Sequence, residues 1–434
     1  MAEYRLLLEH SADPAYATLD GYRSKGGYEG LKAALAMGQQ QIIDNIKASG
    51  LRGRGGAGFP TWIKWNGLPK EKTKRHYVIC NADEGEPGTF KDKQLMETTP
   101  FLVIEGMTIA AIATQADAGY IYIRGEFVDA ARALRKAIDE AYAAGLLGKN
   151  IMGSGIDFDL YLHMGAGSYE CGEESALMSS LMGERGMPRL KFPHAPLPTI
   201  SGVWDSPTLI NNVETYACAP VIMTKGGEWY ASLGASTKNS RGTKIMSVSG
   251  HVNKPGNFEV EMGTPLMELL EMAGGMKDGA LKACVPGGSS VPILNAEMCQ
   301  NALLGYEEMV EAGSMLGSGG CMFLNEHTCI VTFTWRTAQF YARESCGKCT
   351  PCREGTEWME QILARIVNGN GKPEDIPTLL EITQQIDGRS FCGLGDAAAW
   401  PVAAAIRVFP EEFEYYIEHG RSIVSSPPPV SLVI

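Results

Sequence analysis

The sharpest chemistry in this chain sits in the run E-S-C-G-K-C-T-P-C-R-E-G, which sets Cys346, Cys349 and Cys352 as C-x2-C-x2-C; Cys392 follows in R-S-F-C-G-L. Three thiolates at this spacing wrap one face of a compact cluster and a distant fourth closes it, the pattern of 4Fe–4S ligation. Lys348 and Arg353, beside the thiolates, would offset cluster charge. Zinc is the rival, although four-cysteine zinc sites usually come as two C-x2-C pairs. A redox C-x2-C pair would leave the third cysteine without a task, and plain buried thiols are the remaining option. The other seven cysteines (Cys80, Cys171, Cys218, Cys284, Cys299, Cys321 and Cys329) lack ligand spacing and read as buried thiols. The seven histidines are scattered without ligand spacing.

A second group of residues reads as a ligand pocket. L-R-G-R-G-G-A-G-F-P, from Leu51 to Pro60, satisfies G-x-G-x-x-G through Gly53, Gly55 and Gly58, but a helix precedes it where a dinucleotide fingerprint needs a strand, and a flexible linker is the alternative. Arg52, Arg54 and Lys64 nearby would attract phosphates. N-A-D-E-G-E-P-G (Asn81 to Gly88), Arg124-Gly125-Glu126 and M-G-A-G-S-Y-E-C-G-E-E-S (Met164 to Ser175) each follow an expected strand. A helix starting near Gly172 would offer free N–H groups to a phosphate. Asp83, Glu84, Glu86, Glu173 and Glu174 bring five acids to the same pocket; carboxylates repel phosphates, so they suit ribose hydroxyls or ring nitrogens, unless they merely cap helices. No nucleophile elbow, Walker loop or zinc-protease helix is present.

The elements that must position these loops follow from periodicity. Gln40 to Ser49 puts Ile42, Ile43 and Ile46 on one helical face. Tyr77 to Cys80, Tyr120 to Ile123 and Asp157 to His163 read as strands, alternating with helices over about Gln94 to Ala116, Phe127 to Ala144 and Cys171 to Met182. That alternation predicts a parallel sheet with right-handed crossovers, its three loops on one edge. After a Pro-rich stretch, Lys244 to Ser249 and Asn257 to Glu261 flank H-V-N-K-P-G as a hairpin, with a helix over Thr264 to Ala273. Helical periodicity resumes from Ile330, and the Pro run near Pro427 reads as a tail. The expected division is 1–65 (helical segment and glycine loop), 66–241, 242–329 and 330–434.

The bulk properties agree with a multidomain globular chain. It has 434 residues and 46.8 kDa, about three times a typical domain of roughly 150 residues. Apolar residues make up 44% and charged residues 20%, which excludes a disordered or fibrous chain. The net charge of −12 excludes a uniformly basic nucleic-acid binder. No segment reaches the roughly 18 uncharged apolar residues of a membrane span. The start, M-A-E-Y-R-L-L-L-E-H, has acids where a signal peptide is basic, so a soluble, cytoplasmic protein is expected.

The glycine loop, N-A-D-E-x-E-P-G, G-A-G-x-Y-x-C-G-E-E, I-N-N-V-E-T and C-G-K-C-T-P-C-R-E-G occur in that order, from about Tyr22 to Tyr416. Together they resemble the NADH-binding flavoprotein subunit of respiratory complex I, the 51-kDa or F-type subunit of NADH-quinone oxidoreductase. The resemblance implies an α/β multidomain chain: a Rossmann-like FMN domain, a ubiquitin-like (soluble-ligand-binding β-grasp) α+β domain and a C-terminal helical bundle carrying a 4Fe–4S cluster. It implies FMN, the cluster and NAD(H) as cofactors, and hydride transfer from NADH to FMN with electrons then fed singly to the cluster and on toward quinone. No protein acid or base is needed for the hydride step. Implied partners are a thioredoxin-like 2Fe–2S subunit (the 24-kDa or E-type chain) and other complex I subunits, on the cytoplasmic side of the inner membrane.

Carried over residue by residue, Gly53, Arg54, Gly55, Gly56, Gly58 and Lys64 would hold the FMN phosphate and ring edge. Asn81, Asp83 and Glu84 would meet the flavin and its ribityl chain. Tyr169, Gly172, Glu173, Glu174, Asn211 and Asn212 would line the shared pocket, and Phe59, Glu86 and Lys191 would contact NADH. Cys346, Cys349, Cys352 and Cys392 would ligate the cluster. One departure stands out: P-R-L-K-F-P-H-A-P-L-P-T-I-S-G-V-W, from Pro188 to Trp204, is longer than the family's segment and lacks its aromatic, with Phe192, His194 or Leu197 nearest to that place. Gly67 and Trp62 depart in size. The same chemistry in a different assembly, the diaphorase subunit of a soluble NAD-linked hydrogenase or formate dehydrogenase, is the alternative, and a non-catalytic cluster-bearing scaffold is a third reading.

Overall fold

The computed structural model describes residues 3–424; the Pro run near Pro427 lies outside them. Three short helices (Leu19–Ser24, Glu29–Ala36, Gln39–Ala48) lead to the glycine loop, the last burying Ile42, Ile43 and Ile46 as its spacing requires.

The first sheet contains β1 (Tyr77–Ala82), β2 (Ala118–Ile123), β3 (Asp159–Met164) and β4 (Thr208–Asn212), all parallel, in the order β3-β2-β1-β4. The fourth strand is a finding beyond the three expected. Its consequence is topological: the chain steps outward from β1 to β2 and β3, then returns to the other side of β1. The β1/β4 boundary is therefore a switch point, where a crevice opens beyond the carboxyl ends of the strands.

The single helix expected over 94–116 is two, Lys91–Thr98 and Pro100–Thr114, meeting at 97°. Proline lacks the N–H that would continue the first helix and disfavours helical backbone at Thr99, so it opens a second one as its first residue. Every residue of Pro100–Thr114 is buried, which explains its all-round apolar sequence. Among the described residues no single helix is long and apolar enough to cross a membrane.

The second sheet joins β5 (Thr243–Gly250), β6 (Gly256–Glu261), β7 (Leu281–Val285), β8 (Leu294–Asn295) and β9 (Gly320–Asn325) in the order β6-β5-β9-β7-β8. The hairpin β5–β6 is antiparallel and β5–β9 parallel, with helix Leu266–Met272 packed on the sheet through Leu266, Leu269 and Leu270. Periodicity shows the hairpin and this helix; β7, β8 and β9 are too short or too glycine-flanked to declare themselves. Five helices follow: Ile330–Glu344, Thr350–Arg365, Asp375–Ile386, Gly393–Val408 and Pro410–His419, around Met359, Leu363, Leu379, Ala398, Val402 and Phe413.

Candidate flavin and iron–sulfur site

A cavity of about 390 Å³ lies beyond the carboxyl ends of β1 and β4. Asn81 enters it from β1, Asn212 from β4, Asp83, Glu84 and Glu86 from the loop after β1, Gly55 from the glycine loop, and Tyr169, Gly172 and Glu173 from the loop after β3. These sequence-predicted residues are thus brought together. Also in the wall are Thr89, Lys91, Asp92 and Ser318, which sequence reasoning did not single out, and Gly393, Leu394 and Ala397 from the helical domain. A lysine directly before an aspartate at a helix start carries no signal of burial by itself; only the fold places Lys91 at 1% exposure.

The glycine loop is braced from beneath. Arg54 N–H donates to Thr215 Oγ1 at 2.9 Å, Lys244 Nζ to the Arg54 carbonyl at 3.1 Å, and Tyr306 Oη to the Gly53 carbonyl at 2.7 Å. The Arg54 guanidinium is fully buried and donates to the carbonyls of Arg52, Arg241 and Thr243. The expectation that this side chain meets the FMN phosphate is corrected: its donors are committed to carbonyls, and it holds the loop's shape. The amides of Gly55, Gly56 and Ala57 donate to no described residue, which leaves three N–H groups for an anion.

A second correction concerns the helix Glu174–Leu181. Its first N–H groups are not free, because the Glu173 carboxylate accepts from Ser175 N at 2.9 Å and Ala176 N at 3.0 Å. Burial pushes Glu173 up, but the Lys191 ammonium at 2.8 Å, Ser175 and Ala176 outweigh it and hold it below the usual range. Glu84 likewise accepts the amides of Asp92 and Lys93, capping the helix that starts at Lys91. Burial and the neighbouring Asp92 nevertheless lift Glu84 to about 7. Two of the five acids therefore serve as caps as well as lining the cavity.

Under the pocket floor runs a buried charge network. Lys91 Nζ lies 2.7 Å from Asp92 and 2.9 Å from Glu214, and Asn212 Nδ2 donates to Asp92 at 2.6 Å. Burial opposes the Lys91 charge, but Asp92 and Glu214 outweigh it and keep it protonated. Lys244 has only the more distant Glu214 at 3.8 Å, and burial lowers it to about 8.

The remaining predicted residues stand around this cavity. Asn211 is buried and accepts from Trp65 Nε1 at 3.0 Å, so it anchors helix Thr61–Asn66. Lys64, on that helix, pairs with Glu174 at 2.8 Å. Phe59 is half exposed. Glu174, Lys191, Phe192, Leu197 and Lys348 line a second cavity of about 600 Å³, so of the candidates for the missing aromatic, Phe192 and Leu197 face it and His194 does not line it.

Three of the four cysteines stand at two helix starts. Cys349 precedes Thr350–Arg365 with Cys352 in that helix's first turn, and Cys392 precedes Gly393–Val408; Cys346 lies on the preceding loop. Helix N-termini favour negative sulfur. The Phe391 amide donates to Cys349 Sγ at 3.4 Å, bringing the distant segment to the triplet, and Ser345 Oγ lies 3.2 Å from Cys352 Sγ. Burial pushes the Cys352 thiol up to about 11, and the neighbouring thiols add to it. Among the described residues no three such donors close on a single metal ion. Lys348 is drawn off to the Pro188 carbonyl and the Phe391 ring, and Arg353 to Gly347 and Glu354. Glu170 lines the flavin-sized cavity and accepts from Cys392 Sγ at 3.3 Å, so cavity and cysteines share a wall. The other seven cysteines are all buried.

Residues 46–221 match the family model described as the Nuo51 FMN-binding domain, 245–294 the SLBB domain, and 332–416 the NADH-ubiquinone oxidoreductase-F iron–sulfur binding region. The F-type subunit of the NADH-quinone oxidoreductase of Rickettsia bellii is 49% identical over 403 residues, 92% of this chain and 95% of that one. Its namesake from Streptomyces coelicolor is 49% identical over 411 residues, 94% and 90% of the two chains. Among solved structures, the NAD+-reducing [NiFe]-hydrogenase in its air-oxidised state superposes with a TM-score of 0.82 at 32% identity, over 96% of this chain and 67% of that one. The cavity at the β1/β4 switch point, the free amides of the glycine loop and the cysteines placed beside that cavity agree with these matches: the chain belongs to the family of F-type subunits of NADH-quinone oxidoreductase, with its FMN-binding and 4Fe–4S-binding regions.

Proposed function

We propose that this chain is the NADH-oxidising module of a quinone-reducing complex, with FMN in the cavity at the β1/β4 switch point and a 4Fe–4S cluster on Cys346, Cys349, Cys352 and Cys392. The bound groups supply the chemistry: flavin accepts hydride and an iron–sulfur centre accepts electrons one at a time. The protein's residues bind and orient. The amides of Gly55, Gly56 and Ala57 face the phosphate. Asn81, Asp83 and Glu84 meet the flavin side, with Asn212 opposite. Glu86 and Tyr169 face the dinucleotide, and Phe59 and Lys191 flank its approach. Stacking two planar rings in one cleft places hydride donor and acceptor in contact, which is the main acceleration available without a protein acid or base.

The observation that carries this reading is the shared wall: Cys392 is followed directly by Gly393, Leu394 and Ala397 in the lining of the flavin-sized cavity. Electrons then have a short path from pocket to cysteines. Downstream, a thioredoxin-like 2Fe–2S subunit and other complex I subunits would receive them, on the cytoplasmic face of the membrane. The test is an anaerobic NADH titration of the purified chain, followed by visible absorbance and EPR. Flavin bleaching together with a reduced-cluster signal is expected. A cluster spectrum with no flavin response, persisting after FMN is added back, would make the chain a scaffold.

A second reading keeps the chemistry and changes the assembly. The likeness to the NAD+-reducing hydrogenase favours a diaphorase role in a soluble complex, whereas the higher identity to quinone oxidoreductase subunits favours the first. Affinity capture decides: membrane subunits of a quinone reductase support the first reading, hydrogenase or formate-oxidising subunits the second.

A further inference from the structure

The Glu86 carboxylate is a meeting point of three parts of the molecule. From the loop after β3, Tyr169 Oη donates to Oε2 at 2.6 Å. From the loop after β7, the Ser290 amide donates to Oε1 at 2.8 Å and the Ser289 hydroxyl to the same oxygen at 3.3 Å. That loop packs so closely that a Cβ on Gly288 would fall 2.4 Å from Glu86 Cγ. From the helical domain, Tyr341 Oη lies 2.9 Å from Ser289 Oγ and 3.5 Å from Glu86 Oε1.

In this relay the carboxylate can only accept, and both hydroxyls reach Oε1. The Ser289 hydroxyl is the nearer, at 3.3 Å against 3.5 Å for Tyr341 Oη, so the serine proton goes to Glu86 and Tyr341 donates to the serine, with a longer direct contact of its own to Oε1. Tyr341 is fully buried. Oε1 is thereby occupied by the loop, while Oε2 carries a single donor and keeps a lone pair open. The same helix reaches Tyr169 twice more: the Tyr341 and Tyr169 rings sit edge to face at 5.9 Å, and Glu344 accepts the Tyr169 amide at 3.0 Å.

We propose that Tyr341, carried by the cluster-bearing helical domain, is a positioning residue for the dinucleotide site: through Ser289 it fixes Glu86 so that one carboxylate oxygen stays turned to the ligand. This rests on Glu86 facing NADH, and the experiment separates the two claims. In the full-length holoprotein, Tyr341→Phe keeps the ring contacts and removes only the hydroxyl. Flavin and iron content, NADH KM and kcat with ferricyanide, and NAD+ binding to the oxidised protein are measured for wild type, Tyr341→Phe, Glu86→Gln and the double variant.

Tyr341→Phe should raise the NADH KM about three- to tenfold, the scale of one hydrogen bond, with kcat and both cofactors held at wild-type levels. In the Glu86→Gln background the same change should add less than about twofold, because the partner it positions is already altered. Ser289→Ala, which cuts the relay from the loop side, should reproduce the single effect and decides the matter if Tyr341→Phe loses flavin or iron. An unchanged KM in Tyr341→Phe or Ser289→Ala while Glu86→Gln raises it overturns the relay. Fully multiplicative effects in the double variant overturn it too. An unchanged KM in Glu86→Gln removes Glu86 from the site, and the inference with it.

Discussion

Asp83, at the carboxyl end of the first sheet's central strand, has a single cationic neighbour, Arg124 at 3.2 Å, which is shared with Glu126 at 2.5 Å. Burial therefore outweighs that half-share of an arginine and lifts the Asp83 carboxyl to about 7. An unfolded aspartate titrates near 3.9, about three units lower. The folded chain thus holds an extra proton in between: the stabilisation is complete below about 3.9 and is lost as pH rises through about 7. In urea titrations of the flavin-free protein, wild type should lose stability relative to Asp83→Asn between about pH 4 and 7. The loss is at most about 1.4 kcal/mol per pH unit, levelling off above that range. Parallel curves would mean that Arg124 dominates. At this scale the sequence named the acids and the cysteines by type and spacing, but not what each side chain touches. Arg54 and Glu173 show the limit. Both stand beside a loop suited to phosphate, yet one guanidinium is committed to carbonyls and one carboxylate to the helix start. Those partners come from residues far along the chain or from the helix's own geometry, which spacing alone does not encode.

The glycine loop depends on backbone that other residues resist. Gly58 has φ +62°, and a Cβ there would fall 2.6 Å from the Tyr306 ring, the same ring whose hydroxyl holds the Gly53 carbonyl. Gly58→Ala therefore meets left-handed strain and a clash together, a cost of more than about 1 kcal/mol. The purified variant should retain iron but carry less FMN, read as the flavin-to-iron ratio; an unchanged ratio would show that the loop bends elsewhere. Element by element, strands β1 to β3 and their loops were legible because short apolar, β-branched or aromatic runs alternate with longer stretches of helical length and spacing. Strand β4 was not, since Thr208–Asn212 is five residues long and follows a Pro-rich stretch. Its omission hid the switch point, which is what makes the carboxyl edge a binding crevice. The break at Pro100 was written in the sequence, but helix-forming residues on both sides of it masked it.

Across the whole molecule, cavity and cysteines are adjacent but built from different parts. The cavity takes most of its wall from the first sheet's loops, whereas the cysteines belong to the helical domain. Cys349→Ala should therefore abolish the iron signal while FMN stays, measured as iron content and EPR against released flavin. Equal iron in the variant would remove Cys349 from the ligand set. The succession of strand–helix alternation, hairpin and late helices was readable because each stretch has its own periodicity; the contacts between those stretches were not, and several site residues are held across them. Arg54 is the plainest case. Its guanidinium, lodged among the Arg241 and Thr243 carbonyls that lead into the second sheet, joins the glycine loop to the β-grasp domain. With FMN seated on that loop as proposed, flavin retention becomes a gauge of how well this seam is closed: a substitution at the seam on the β-grasp side would announce itself first as a lower flavin-to-iron ratio.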